Sequence, residues 1–306
     1  MTNLSETLSH LSTEQINQQT RDIDTMSSLE IATLMNAQDA QVLLAVQKAL
    51  PQIARAIDGI TERIQNGGRL FYIGAGTSGR LGVLDASECP PTFNVSPELV
   101  VGVIAGGDSA LRKSSESSED SEEGGKKDLA AHGLCKKDAL VAISASGYAP
   151  YCCGALKYGN ELGTLTIALS CNEHAPFSSL AEIAIEAPTG AEVVSGSTRL
   201  KAGTATKMIL NMLSTGTMIR LGKTYQNLMV DVRATNAKLR ERAVRLTVTA
   251  AGVSREKAEE ALAQANGRVK TAIVMLRCGL DAGEAEQALN AENGYVRRVL
   301  DKYAKL

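Results

Sequence analysis

The chain has 306 residues, with 32 Lys+Arg against 34 Asp+Glu for a formal charge of −2, and 44% of its residues are hydrophobic. That composition supports a sizeable core in roughly two domains and excludes a disordered protein. Balanced charge gives no long-range field for a phosphodiester backbone, and no basic run is interleaved with aromatics, so no nucleic-acid partner is expected.

The N-terminal stretch Met1 to Leu50 is too polar for a signal peptide, and no run reaches 18 apolar residues. A cytoplasmic protein with no membrane partner is expected. Val42, Val46, Leu50, Ile53, Ile57, Ile60 and Ile64 recur at steps of three and four, which predicts one apolar helical stripe, with Pro51 as a point of kinking. Asn66-Gly67-Gly68 ends that helix. Arg69 to Ile73 then reads as a buried strand running into Gly74-Ala75-Gly76-Thr77-Ser78-Gly79. Leu99 to Ala105, Ala139 to Ile143 and Thr164 to Leu169 are further compact apolar runs, and Glu182 to Ala187 is a weaker fifth. Continuous apolar strands separated by helix-length segments indicate an α/β fold with a mainly parallel sheet, whose ligands bind at the carboxyl ends of the strands.

Lys201 to Leu221 and Ala234 to Ala250 read as helices. Ser254 suits a cap over Arg255 to Ala265, Asn266-Gly267 a stop, and Asp281-x-x-Glu284 a second capping box. With the stripe Val269, Ile273 and Leu276 between them, residues 251–306 are expected to form a small helical bundle apart from a sheet domain over 1–250. No internal repeat is read. The tract Ser114 to Lys127 has the composition of a solvated linker. Six cysteines, at 89, 135, 152, 153, 171 and 278, lack zinc-site spacing, and His10, His132 and His174 are scattered, so reduced thiols and no metal are expected. With histidine so scarce, acid–base chemistry falls to carboxylates.

Gly74-x-Gly76-x-x-Gly79 formally matches a dinucleotide fingerprint, but the next strand ends in Gly106-Gly107 with Asp108 about 30 residues on rather than about 20. That argues against NAD. Thr77 and Ser78 at a helix start, with Arg80 beyond, are instead the parts of a phosphate cradle, and Ser144-Ala145-Ser146-Gly147 offers a second hydroxyl turn at another strand end. Ordinary turn residues would account for either loop alone; together they favour a monophosphate site.

The two turns resemble those of the sugar isomerase (SIS) domain, which binds phosphosugars. Leu84-Asp85-Ala86-Ser87-Glu88-Cys89-Pro90-Pro91-Thr92 and Glu192 to Thr204, EVVSGSTRLKAGT, resemble signatures of the N-acetylmuramic acid 6-phosphate etherase family, and the resemblance runs from about residue 10 to the C-terminus. The second signature is shared with the glucokinase regulatory protein, which binds phosphosugars without converting them. The resemblance implies an SIS-type parallel-sheet sandwich with flanking helices over 1–250, a small helical, UBA-like domain over 251–306, a homodimer and no cofactor. It also implies a lyase that removes D-lactate from carbon 3 of the phosphosugar, by elimination and then hydration, with Glu88 protonating the departing lactate and Glu119 taking the carbon 2 proton.

For phosphate and substrate binding it implies Gly76, Thr77, Ser78, Ser144, Ser146, Gly147, Ser197, Thr198, Arg199 and Lys201. The apolar Val83-Leu84 and rigid Cys89-Pro90-Pro91 around Glu88 suggest a raised carboxyl pKa, whereas Glu119 lies among Glu116, Asp120, Glu122 and Glu123, all of which suit a solvent-facing tract. Arg199 or Lys201 fits either the lactyl carboxylate or a helix cap or dimer contact, and Glu192 is a third acid. Asp231, Arg233, Asn236, Arg240 and Arg242 suit a subunit boundary. Tyr148-Ala149-Pro150 stands where the family pattern has Arg-Thr-Pro, and the serines before Glu119 replace smaller apolar residues. Two other functions use the same scaffold, a non-catalytic phosphosugar sensor and an aldose–ketose isomerase.

Overall fold

The computed structural model describes residues 11–113, 118–232 and 237–303. Two compact units emerge, one of residues up to Ser87 with Glu98–Ser214, the other of Glu88–Pro97 with the chain from Thr215 on. The second unit thus starts well before residue 251 and takes in ten residues of the sheet-forming half.

In the first unit, helix α1 (Ser28–Gln65) opens with a capping box in which Ser27 and Glu30 satisfy each other's backbone amides. Its inward face carries Val42, Val46, Ala49, Ile53, Ala56 and Ile60, and packs on the sheet. Leu50, expected in that stripe, is exposed; steps of four outrun a 3.6-residue turn, so the buried line passes through Ala49 instead. Pro51 sits inside the helix on its solvent side.

Five strands follow: β1 (Leu70–Gly74), β2 (Val100–Ile104), β3 (Ala139–Ile143), β4 (Leu165–Ser170) and β5 (Ile183–Glu186). They form one all-parallel sheet in the order β2-β1-β3-β4-β5, each expected run having become a strand. The chain goes from β1 to β2 on one side and then crosses back past β1 to β3 on the other, which makes the carboxyl ends of β1 and β3 the topological switch point. Gly74 and Ile143 are register partners there. Helix α2 (Gly76–Phe93) leaves β1 through a turn only glycine permits: Gly76 has φ +52°, and a Cβ on Gly79 would stand 2.4 Å from the Gly74 carbonyl.

The acid-rich tract is not a linker throughout. Ser121 caps helix α3 (Glu122–Ala131), accepting the Gly124 N–H at 2.9 Å. Gly125 lets α3 lie directly on helix α4 (Pro150–Leu162), since a Cβ there would meet the Tyr151 carbonyl at 2.1 Å. Glu116 lies outside the described residues. Helix α5 (Lys201–Arg220) follows the sheet.

The second unit contains α6 (Ala237–Ala251), α7 (Arg255–Gln264), α8 (Val269–Cys278), α9 (Ala282–Ala291) and α10 (Val296–Tyr303). Ser254 and Asp281 cap α7 and α9 as expected. Ile273, Val274, Ala272, Leu289, Val296 and Val299 are buried together. Contrary to the sequence reading, there is a repeat: α7–α8 and α9–α10 are one helix–turn–helix unit twice over, offset from Asn266 to Asn293. Ala258, Ala261, Leu262, Gly267 and Val269 recur as Ala285, Ala288, Leu289, Gly294 and Val296. Both turns have the same geometry, Asn at φ 50° and 52° and Gly at 75° and 78°, with each glycine N–H donating to a leucine carbonyl at 2.7 Å. The match is in small buried residues rather than in distinctive side chains. Among the described residues no helix is long and apolar enough to cross a membrane.

Candidate active site

A cavity of about 200 Å³ opens at the switch point of the first unit. Gly76, Thr77 and Ser78 line it from the first turn of α2, and Ser144, Ala145 and Ser146 from the turn after β3. The leading amides of a helix have no intrahelical acceptor, so the α2 turn presents N–H donors beside two hydroxyls. The serine turn is held by its own backbone: the Gly147 N–H donates to Ser144 Oγ at 3.1 Å and the Tyr148 N–H to Ser146 Oγ at 3.2 Å. Each Oγ is thereby used as an acceptor, and the two oxygens lie 3.3 Å apart, so one hydroxyl donates to the other and leaves its partner's hydrogen for an incoming anion. Gly147 supports the turn from beneath rather than lining the cavity; its φ is +70° and a Cβ would stand 2.4 Å from that of Ala175.

Glu119 joins these turns at the cavity. It is placed by the start of α4, whose Tyr151 N–H donates to the Glu119 carbonyl at 3.0 Å, and by the capped start of α3 two residues on. The residue remains exposed overall, but partial withdrawal from water, reinforced by neighbouring Asp120, holds its carboxyl above the ordinary pKa. Glu119 is thus drawn to the cavity from a tract expected only to face solvent. Glu88 stands exposed about three turns beyond Thr77 along α2. Leu84, one turn earlier, is exposed with it, while Cys89 is the residue that turns inward.

From the Glu192 to Thr204 signature, Thr198 and Gly203 line the cavity. Ser197, Arg199 and Lys201 do not, and each has a different place. Glu192, fully buried, accepts the Lys201 and Ala202 N–H groups at 3.0 and 2.9 Å, capping α5. Lys201 is only 2% exposed, and burial lowers its ammonium pKa against the pull of Glu192 and Asp39. Arg199 is exposed and Ser197 half-buried. Asp85, in the other signature, is a buried carboxylate bonded by the Tyr72 hydroxyl at 3.0 Å, the Asn211 amide at 2.7 Å and the Ser214 hydroxyl at 3.1 Å. Burial raises its pKa in spite of those three donors.

Sequence reasoning did not find Glu14 or Thr206, both of which line the cavity. Thr206 belongs to the buried face of α5. Glu14 ends a 3₁₀ turn, Ser12–Glu14, fastened by Asn172, and nothing local in the sequence marks that contact. At the departure from the family pattern, Ala149 lines the cavity, while Tyr148 donates its backbone N–H to Ser146 Oγ, a bond that does not depend on the tyrosine side chain.

A hollow of about 840 Å³ in the second unit lies between the two Asn-Gly turns. Its charges are matched in pairs, Lys270 to Asp231 at 2.7 Å and Arg268 to Glu286, which makes it the poorer candidate. Asp231 therefore pairs within its own unit; Arg240 and Arg242 on α6 are exposed, and Arg233 and Asn236 lie outside the described residues, as does His10. Among the described residues no cluster of three His, Cys, Asp or Glu is placed to hold a metal.

Residues 52–160 match the glucokinase regulatory protein N-terminal SIS domain, and residues 226–269 match the C-terminal lid domain of glucokinase regulatory protein. An N-acetylmuramic acid 6-phosphate etherase of Glaesserella parasuis is 54% identical over 96% of this chain and 97% of its own. One of Vibrio cholerae, etherase 2, is 53% identical over 97% and 96%, and one of Caldanaerobacter subterraneus 50% identical over 96% and 96%. Among solved structures, a phosphoheptose isomerase from Francisella tularensis is 21% identical, with a TM-score of 0.49 over 63% of this chain and 98% of its own. By its match to curated relatives at half identity and nearly full length, the chain belongs to the N-acetylmuramic acid 6-phosphate etherase family.

Proposed function

We propose that this protein is a carbon–oxygen lyase that converts N-acetylmuramic acid 6-phosphate into N-acetylglucosamine 6-phosphate and D-lactate. The observation that carries the reading is the meeting, at one switch-point cavity, of two hydroxyl turns and the carboxyl of Glu119, in a chain 54% identical to such an etherase. The phosphate sits against Thr77, Ser78, Ser144 and Ser146. With the sugar ring open, the aldehyde at carbon 1 acidifies the carbon 2 proton, which Glu119 removes. The bond from carbon 3 to the ether oxygen breaks, and that oxygen takes a proton from Glu88 as lactate leaves. Water then adds across the double bond, hydroxyl to carbon 3 and hydrogen to carbon 2.

A carboxyl with a raised pKa is a stronger base, which suits Glu119 to carbon acid chemistry. Glu88, exposed on α2 and not among the residues lining the cavity, takes the acid role from the family signature Leu84 to Thr92. A homodimer is part of the proposal: Leu29, Leu43, Leu44 and Leu50 leave α1 with exposed large apolar side chains that a second copy covers. Arg199, exposed beside Thr198, meets the lactyl carboxylate, while buried Lys201 supports the helix start. The setting is cytoplasmic use of cell-wall sugar, with no nucleic-acid partner.

Incubating the protein with N-acetylmuramic acid 6-phosphate and assaying D-lactate tests the reading. Stoichiometric D-lactate and N-acetylglucosamine 6-phosphate are expected. Binding without lactate identifies a sensor, and a ketose product an isomerase.

A further inference from the structure

The elimination begins from an aldehyde that a pyranose does not have, so something must open the ring. We propose that Glu14 is a further catalytic residue, whose carboxylate takes the anomeric hydroxyl proton and delivers a proton to the ring oxygen of the bound phosphosugar. This rests on the phosphosugar reading above. In the step, the O1–H proton passes to the carboxylate and the C1–O1 double bond forms. The C1–O5 bond breaks with its electron pair going to O5, and O5 takes the proton back. No proton, electron or co-reactant is gained or lost.

Three observations assign the role. First, among the described residues lining the cavity the carboxyls are those of Glu14 and Glu119, and no His, Cys or Lys lines it. Glu119 is occupied at carbon 2, and hydroxyls of serine and threonine are too weakly acidic and basic to carry a proton between oxygens near neutral pH.

Second, Glu14 is held at the phosphate end. The side-chain carbonyl of Asn172 accepts the Ser12 hydroxyl at 2.8 Å and the Thr13 N–H at 3.3 Å, while its amide donates to Thr13 Oγ1 and to the Ala145 carbonyl, each at 3.0 Å. One side chain thus ties the Ser12–Glu14 turn to the serine turn. Ring oxygen O5 is bonded to C5, next to the phosphate-bearing C6, whereas C2 and C3 lie further along the sugar. O5 is also bonded to C1, which carries O1, so a carboxylate beside the serine turn faces O5 and the neighbouring O1 together.

Third, the carboxylate is left at the rim. Thr13 is fully buried and anchors the backbone, while Glu14 itself is exposed. Its Oε2 lies 3.9 Å from where a Cβ on Gly196 would stand, and Gly196 has none. The Gly196–Thr198 turn therefore passes Glu14 without a side chain between them.

Ring opening is read directly as interconversion of the α- and β-anomers of N-acetylglucosamine 6-phosphate, followed by NMR exchange. The native protein should accelerate it, and Glu14→Gln should lose about 100-fold of that acceleration, the usual scale of acid–base catalysis. Glu14→Asp, one methylene shorter but still a carboxylate, should recover part of it. The thermal unfolding midpoint of both variants should match the native protein. Anomer exchange by Glu14→Gln at the native rate overturns the proposal. So does a native protein that releases D-lactate yet leaves anomer exchange at the uncatalysed rate, and in that case the lyase reading stands. Failure of both lactate release and anomer exchange overturns the two together.

Discussion

The turns at the ends of β1 and β3 and the turns joining α7 to α8 and α9 to α10 use similar chemistry for opposite ends. Each places glycine at positive φ beside short polar residues. In the helical repeat, the glycine N–H closes back on a leucine carbonyl at 2.7 Å, and the polar groups are consumed in ending one helix before the next begins. At the end of β3, the serine hydroxyls receive backbone N–H groups and lie 3.3 Å apart, so that one hydroxyl hydrogen bridges the pair and the other is left for a ligand. A polar turn becomes a site when parallel strands bring a second one beside it, and a helix stop when its bonds close within the turn.

Removing Glu119 should separate the two regions most sharply. Glu119→Gln is expected to lower kcat by about 100- to 10,000-fold with a smaller effect on KM, measured as initial rates of D-lactate release. For a base that works ionised, activity rises with pH as its proton leaves. Since burial and neighbouring Asp120 hold the Glu119 carboxyl above the ordinary glutamate range, the acid limb of kcat/KM should lie above that of a free glutamate. A limb at or below that of a free glutamate would assign the base to another group.

A smaller effect is expected from Ser144→Ala, which removes one hydrogen bond to a charged phosphate. At about 1.5–3 kcal/mol for such a bond, KM should rise roughly 10- to 100-fold. An unchanged KM would mean that the serine turn is only a turn. Smallest, Gly267→Ala or Gly294→Ala should each cost about 1 kcal/mol of stability by forcing alanine into the left-handed region, with kcat untouched. Chemical denaturation and steady-state kinetics read the two quantities. A fall in kcat would show that the helical repeat shares in the chemistry.

The sheet was legible because its strands are continuous apolar runs, and β3 matches Ala139 to Ile143 residue for residue. Both hydroxyl turns were legible for the same reason, since they begin where those runs stop. Leu50 misled because a stripe drawn in steps of four drifts off the face that a long helix buries. The Ser114 to Lys127 tract misled because Asp120, Glu122 and Glu123 are solvent-facing while Gly125, silent in composition, is what seats α3 on α4. Glu14 was out of reach: its place depends on Asn172, 159 positions from Thr13, a contact that no local pattern encodes. The repeat was missed because it is written in Ala, Leu and Gly, residues common enough to hide a period.

The proposed reaction divides the labour, with Glu119 removing a proton from carbon 2 and Glu88 supplying one to the leaving oxygen. Glu88→Gln in deuterated water tests it most directly, with deuterium entry at carbon 2 and D-lactate release followed in the same reaction. Deuterium should still enter the unreacted substrate while lactate release falls well behind it. Equal loss of both, or lactate release at the native rate, would contradict it.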